Sequence, residues 1–305
     1  MKRALDTIGK TPVVELKKIN NTKSRIFVKL DNMNPSGSIK DVMAYFMMKK
    51  AEERGELKIG KKIIELTSGN TGIAFSMLCA IKGYKFTAVM PANMSKERIS
   101  MMKAFGTEVI LTPAKDDMKG AMKKYKELVK KNKNAWFPRQ FENKDNIKSH
   151  EEITGEEIMK QTESREVEKI DVFVAGIGTG GTLMGVGKCL RKKHKDVKLV
   201  AVEPAECAVL YGGKLESHGI QGIGEGFIPK IVDKKMIDEI IKIKTEDAKK
   251  MANRIAKEEG IFVGISSGAN LLAALKIAKK SKKSLNIVTI FPDSGDRYLS
   301  TGIFE

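Results

Sequence analysis

Cysteine is scarce. Cys79, Cys189 and Cys207 are the only three in 305 residues, odd in number, far apart and without a CxxC pair. That usage excludes a disulfide framework and a cysteine-rich zinc site and fits a reducing compartment, so a cytoplasmic protein without a metal is expected. Long hydrophobic runs are missing too. The N-terminal MKRALDTIGK has no apolar core fit for a signal peptide, and GIAFSMLCAI (72–81) is far too short to cross a bilayer. Aromatics make up 6%, and only nine of the 56 basic residues are arginine. Nucleic-acid faces combine arginine with aromatic residues, so the +18 net charge argues for a solvated lysine surface and against a nucleic-acid partner. KDDMKGAMKKYKELVKKNKN (115–134) illustrates it: Met118, Ala121, Met122, Tyr125, Leu128 and Val129 form one apolar stripe, with lysines on the other face.

What is present is an alternation. Short β-branched runs at 25–30, 62–66, 85–90, 107–112, 171–176, 198–203, 261–266 and 286–291 read as strands, and helical patterns separate most of them. This predicts an α/β protein with mainly parallel sheets and right-handed crossovers. NAWFPRQFENKDN (134–146) breaks the periodicity and suits a crossing between domains.

Ligands of open α/β sheets gather at the carboxyl ends of the strands, where this chain has polar and glycine-rich turns. In DNMNPSGSIKDVMAYFMM (31–48), Pro35 and Gly37 interrupt the chain, Ser38 can cap a helix, and Lys40 falls in its first turn. The helix dipole and burial both disfavour an ammonium there, which leaves a neutral amine accessible. In ELTSGNTG (65–72), Thr67, Ser68, Asn70 and Thr71 crowd a strand-to-helix turn with donors suited to a carboxylate. AGIGTGGT (175–182) is a second such turn, with Gly178, Thr179, Gly180, Gly181 and Thr182 as a phosphate cup. It also satisfies GxGxxG at Gly176, Gly178 and Gly181, with Glu203 ending the next strand, so an NAD-dependent oxidoreductase is a rival reading. That rival leaves Lys40 and the 67–72 turn unexplained. GISSGAN (264–270) adds Ser266 and Ser267. A phosphate, a carboxylate and a nucleophilic amine in one place are the needs of pyridoxal phosphate with an amino-acid substrate.

The chain resembles the cysteine synthase (O-acetylserine sulfhydrylase) and cystathionine β-synthase family of pyridoxal-phosphate enzymes. The resemblance runs through TIGKTPVVEL (7–16), NPSGSIKD (34–41), TSGNTG (67–72), MPANMSKERISMMKAFGTEVILTPA (90–114), GIGTGGT (176–182), QGIGEGFIP (221–229), GISSGA (264–269) and PDSGDRYLST (292–301). It implies fold type II, the tryptophan-synthase-β-like arrangement of two three-layer domains. The smaller, mobile one would span 40–145, and the larger, cofactor-binding one 1–39 and 146–305, in a homodimer. It implies that Lys40 holds the cofactor as a Schiff base and later takes the Cα proton. It also implies that Asn70 bonds the cofactor's 3′-oxygen, that Gly178 to Thr182 hold the phosphate, and that Ser267 faces the pyridine nitrogen. Thr67, Ser68, Thr71 and Gln140 would grip the substrate carboxylate. The implied reaction is β-replacement through an aminoacrylate, O-acetylserine plus sulfide giving cysteine. The alternative is the same chemistry on cysteine or serine, releasing hydrogen sulfide or forming lanthionine or cystathionine. Four positions depart from the family pattern: Val42 for an arginine, Glu156 and Ala208 for prolines, and Glu225 where sulfhydrylases carry a small apolar residue. Glu225 is a candidate catalytic residue that bears on the choice of substrate.

Overall fold

The computed structural model describes residues 3–67, 69–213 and 215–304. In chain order the elements are β1 (Val13–Glu15), β2 (Arg25–Leu30), α1 (Lys40–Glu53), β3 (Lys62–Leu66), α2 (Asn70–Lys82), β4 (Lys85–Pro91), α3 (Lys96–Ala104), β5 (Glu108–Thr112) and α4 (Asp117–Lys131). There follow α5 (Asp145–Ser149), α6 (Glu156–Glu163), β6 (Val172–Gly176), α7 (Gly181–Lys193), β7 (Lys198–Pro204), β8 (Glu239–Ile243), α8 (Thr245–Arg254), α9 (Ile265–Lys280) and β9 (Asn286–Phe291). Strands β3-β4-β5 form one parallel sheet, and β1-β2-β9-β6-β7-β8 a second in which only β1 runs antiparallel.

Alternation along the strands fills both faces of each sheet. Ile26, Val28 and Leu30 of β2 join the core under α8 and α9, whereas Phe27 joins the opposite core under α7. In the smaller sheet Ile63 packs toward α1 and α2, while Ile64 and Leu66 meet Ala121 and Tyr125 of α4. Each sheet is therefore sandwiched by helices, and each fully buried Leu, Ile, Val or Phe contributes about 1.5–3 kcal/mol.

Two differences from the sequence expectation stand out. Residues 261–266 do not form a strand: Val263 makes one isolated bridge to Ser294, and α9 already starts at Ile265. Val263 and Ile265 are apolar because they are buried, not because they are laddered, while Phe262 is exposed. Conversely, β1 and β8 form where no strand is expected; both lie at the edges of the larger sheet, and β1 has only three residues.

The sheet topology makes the site. From β6 the chain winds outward to β7 and β8, then returns to place β9 on the other side of β6. The β6–β9 pairing runs only from Val172 to Val174, although β6 stays paired with β7 to Gly176 and β9 with β2 to Phe291. The sheet parts at its carboxyl edge, at the switch in strand order where α/β folds place their ligands.

Candidate active site

A cavity opens at that parting. Lys40, Asn70, Thr71, Gln140, Gly178, Thr179, Gly180, Thr182 and Glu225 all line it, drawn from both sheets. Lys40 is the first residue of α1, and its backbone N–H donates to Ser38 Oγ at 3.3 Å. Desolvation by the surrounding protein holds the Lys40 amine below its ordinary pKa; the nearby Glu225 and Asp293 carboxylates oppose that shift without reversing it. The neutral amine is thereby favoured.

The 67–72 turn is built from within. Thr67 Oγ1 accepts the N–H groups of Gly69 (3.0 Å) and Gly72 (2.9 Å). Its hydroxyl, expected from sequence to grip a carboxylate, shapes the turn and is not part of the cavity wall. Ser68 lies outside the described residues. Gly69 has φ +149°, and a Cβ there would lie 2.3 Å from Arg98 Cδ. Thr71 Oγ1 donates to Gln140 Oε1 at 2.7 Å, and Gln140 Nε2 donates to the Leu66 carbonyl at 3.0 Å.

Behind Gln140 stands Glu65, which the sequence reading passed over. Its carboxyl accepts the backbone N–H groups of Arg139 (2.9 Å) and Gln140 (3.4 Å), consecutive donors turned to one side by the left-handed Arg139 (φ 55°). Burial pushes Glu65 up to about 8. Its only sequence signal was an acid inside an otherwise apolar strand.

At the phosphate cup, Gly180 (φ +86°) leads into α7, and a Cβ on Gly178 would lie 2.2 Å from the Gly222 carbonyl. Gly181 is off the cavity wall, against the sequence expectation, because it backs onto Asn146; a Cβ there would sit 1.9 Å from Asn146 Oδ1. Asn146 Nδ2 in turn donates to Thr179 Oγ1 (3.0 Å) and to the Gln140 carbonyl (2.9 Å), tying the cup to the 67–72 region. The two serines are placed differently. Ser266 lines the cavity and Ser267 does not, since α9 begins at Ile265 and successive helical residues point about 100° apart.

Three further groups were missed. Arg98 of α3 reaches across the cleft to Gln221, to the Tyr298 hydroxyl (2.9 Å) and to Asp293 (3.7 Å). Asp293 and Asn270 line the cavity and each keeps a buried oxygen, Oδ1, without a hydrogen-bond partner among the described residues. Such orphaned groups mark a site made for a polar ligand. Glu203, the acid of the dinucleotide reading, is spent elsewhere: it accepts the N–H groups of Leu210 (2.9 Å) and Tyr211 (3.0 Å) and is absent from the cavity wall. A lysine amine, a glycine-rich turn at a helix N-terminus, and hydroxyl and amide groups in one cavity fit pyridoxal phosphate and leave a dinucleotide without its ribose acid.

Comparison with known proteins agrees. The family model described as "Pyridoxal-phosphate dependent enzyme" matches residues 4–293. A cysteine synthase of Staphylococcus aureus (strain Mu50 / ATCC 700699) is 48% identical over 300 residues, covering 98% of this chain and 95% of the relative. The crystal structure of a cysteine synthase from Entamoeba histolytica superposes with TM-score 0.94 at 44% identity, covering 100% of this chain and 90% of that one. A hydrogen sulfide-producing enzyme from Fusobacterium nucleatum gives TM-score 0.93 at 42% identity, covering 98% and 100%. Sequence, fold and site thus lead to one assignment: the chain belongs to the pyridoxal-phosphate-dependent enzyme family.

Proposed function

We propose that the protein is a cysteine synthase, exchanging the acetate of O-acetylserine for sulfide at Cβ. The observation that carries this reading is the burial-depressed Lys40 amine, set in one cavity with a phosphate cup and a loop of hydroxyl and amide groups suited to a carboxylate. The cofactor is pyridoxal 5′-phosphate, which when bound supplies an electron sink that acidifies the substrate's Cα–H. Gly178, Thr179, Gly180 and Thr182, with Gly181 behind them, would hold its phosphate. Asn70 would meet its ring oxygen, and Ser266, in place of Ser267, its ring nitrogen. A neutral hydroxyl facing that nitrogen makes the ring a weaker sink than a carboxylate would, which suits β-elimination. Thr71, Gln140 and Ser68, on the turn that Thr67 shapes, would orient the substrate carboxylate.

Lys40 Nζ takes the Cα proton, and the Cβ–O bond breaks as acetate leaves with its electron pair. Hydrosulfide bonds to Cβ, and Lys40 Nζ returns a proton to Cα. The sum is O-acetylserine and hydrogen sulfide to cysteine and acetic acid. Residues 40–145 would close as a smaller domain on 1–39 and 146–305 and exclude water during the reaction. In support, β3–β5 and α1–α4 all fall within 40–145. A homodimer is proposed on family resemblance and the cytoplasm on the scarce, unpaired cysteines; among the described residues no helix is long and apolar enough to cross a membrane. Lys40→Ala should lower turnover by at least about a thousandfold. Borohydride reduction and peptide mapping of the parent should label Lys40, and a label on any other lysine overturns the assignment.

One observation favours a second donor. Glu225 lines the cavity and acts electrostatically on Lys40. A carboxylate there repels hydrosulfide and can take a proton from water or a thiol, shifting the enzyme toward cysteine as donor with release of sulfide. The test is the ratio of kcat/KM for cysteine and for O-acetylserine in the parent and in Glu225→Ala. A ratio unchanged within about threefold, ~0.7 kcal/mol, removes Glu225 from the chemistry.

A further inference from the structure

Asn70 sits between two buried charges. Its Nδ2 donates to Asp293 Oδ2 at 2.7 Å, and its Oδ1 accepts from the Arg297 guanidinium at 2.8 Å. Both partners are 1% exposed. Which end of an amide carries nitrogen is ordinarily a choice among networks, but here chemistry decides it: a carboxylate only accepts and a guanidinium only donates. Turning the amide over would set carbonyl against carboxylate and NH₂ against guanidinium. The two partners are themselves anchored. Asp293 Oδ2 also accepts the Tyr298 hydroxyl at 2.7 Å and lies 3.7 Å from Arg98. Arg297 donates to the Ser36 carbonyl in the loop leading to Lys40, and Ser36 N–H donates to Asp41 at 2.6 Å. Asn70 lines the cavity with one N–H still to give and with its carbonyl committed to Arg297.

We infer that Asp293 and Arg297 are positioning residues that lock the Asn70 amide as a donor toward the cavity. They thereby select the form of the bound cofactor whose ring oxygen is deprotonated. A hydroxyl oxygen can accept the locked N–H too, but an anionic oxygen accepts it more strongly, so a group that can only donate favours the deprotonated form. The proton then resides on nitrogen, not on oxygen. This inference rests on pyridoxal phosphate being the cofactor, not on the identity of the amino-acid donor.

The readout is the absorbance of the resting holoenzyme, in which the long-wavelength band reports the deprotonated ring oxygen and the short-wavelength band the protonated one. Asp293→Asn and Arg297→Gln should each change the ratio of the bands at least threefold toward the short-wavelength form, whereas Arg297→Lys, which keeps a charged donor, should hold the parent ratio. In an Asn70→Ala background, Asp293→Asn should change nothing further. A merely structural role would weaken cofactor binding, measured by titrating pyridoxal phosphate into the apoprotein, and leave the band ratio as it was. The inference fails if either Asp293→Asn or Arg297→Gln binds cofactor with the parent's ratio. It fails equally if Asp293→Asn moves the ratio as far without Asn70 as with it. Should one of these variants not fold, the other with Arg297→Lys still decides. A parent protein with neither band would overturn the cofactor assignment itself; loss of O-acetylserine turnover with both bands intact would overturn only the proposed reaction.

Discussion

At Glu65 two backbone N–H groups meet a carboxyl that burial pushes up to about 8 from an ordinary 4.5. The folded state therefore holds a proton that the unfolded state has released across that interval, and stability falls as pH rises from about 4.5 to about 8, by at most ~1.4 kcal/mol per pH unit from this residue. Glu65→Gln mimics the protonated form, so its stability relative to the parent should rise between pH 5 and pH 8. Urea unfolding at both pH values checks this; parallel pH slopes in the two proteins would falsify it. Thr67→Val, which leaves the N–H groups of Gly69 and Gly72 without their acceptor, should cost about 1–3 kcal/mol and raise the KM for substrate more than it lowers kcat. That Lys40, Asn70, Thr71, Gly178, Thr179, Gly180 and Thr182 share one cavity was legible in the sequence because small polar residues crowded at strand ends have few other uses. Glu65, Arg98 and Asp293 were not, since each owes its place to partners far along the chain. The Ser266/Ser267 choice turned on the phase of one helix, which no local pattern reveals.

Among the elements, α5 and α7 carry the tightest dependence. A Cβ at Gly185 of α7 would fall 2.3 Å from the Ile147 carbonyl of α5, so the glycine lets the two helices touch backbone to backbone. Asn146, on the same turn of α5, serves both the cup and the Gln140 loop. Gly185→Ala should therefore cost about 1–3 kcal/mol of stability through overpacking and should also weaken cofactor binding, on the order of tenfold, as α5 retreats from Thr179. Thermal melts and cofactor titration measure the two effects separately. Every central strand lies on a run that the sequence pattern marks, as does the amphipathic α4, because full burial on both faces or on one stripe leaves a strong periodic signal; the 261–266 run is the one strand expected that does not form. The three residues of β1 are too few for a period, whereas β8 has the same half-buried pattern as β5, whose β-branched TEVILT run is marked.

On the scale of the whole molecule, the two sheets meet at the cavity and at α3. Glu97 of α3 accepts the Ser300 N–H (2.7 Å) and hydroxyl (2.8 Å), beside the Arg98 contacts to Tyr298 and Asp293. Pyridoxal phosphate at a hundredfold excess over its Kd should stabilise the protein by about 2.7 kcal/mol and raise its Tm, whereas NAD(P) should leave Tm unchanged. Differential scanning fluorimetry with each compound tests both arms, and stabilisation by NAD(P) in place of pyridoxal phosphate would revive the dinucleotide reading. A wall assembled from both sheets has a mechanical corollary as well. If Lys40 on α1 and the 178–182 turn before α7 both hold the cofactor, it would be a non-peptide crosslink between two hydrophobic cores. The holoprotein should then melt in calorimetry as one cooperative unit, its van't Hoff and calorimetric enthalpies equal, while the apoprotein resolves into two transitions, with the β3–β5 sheet yielding first.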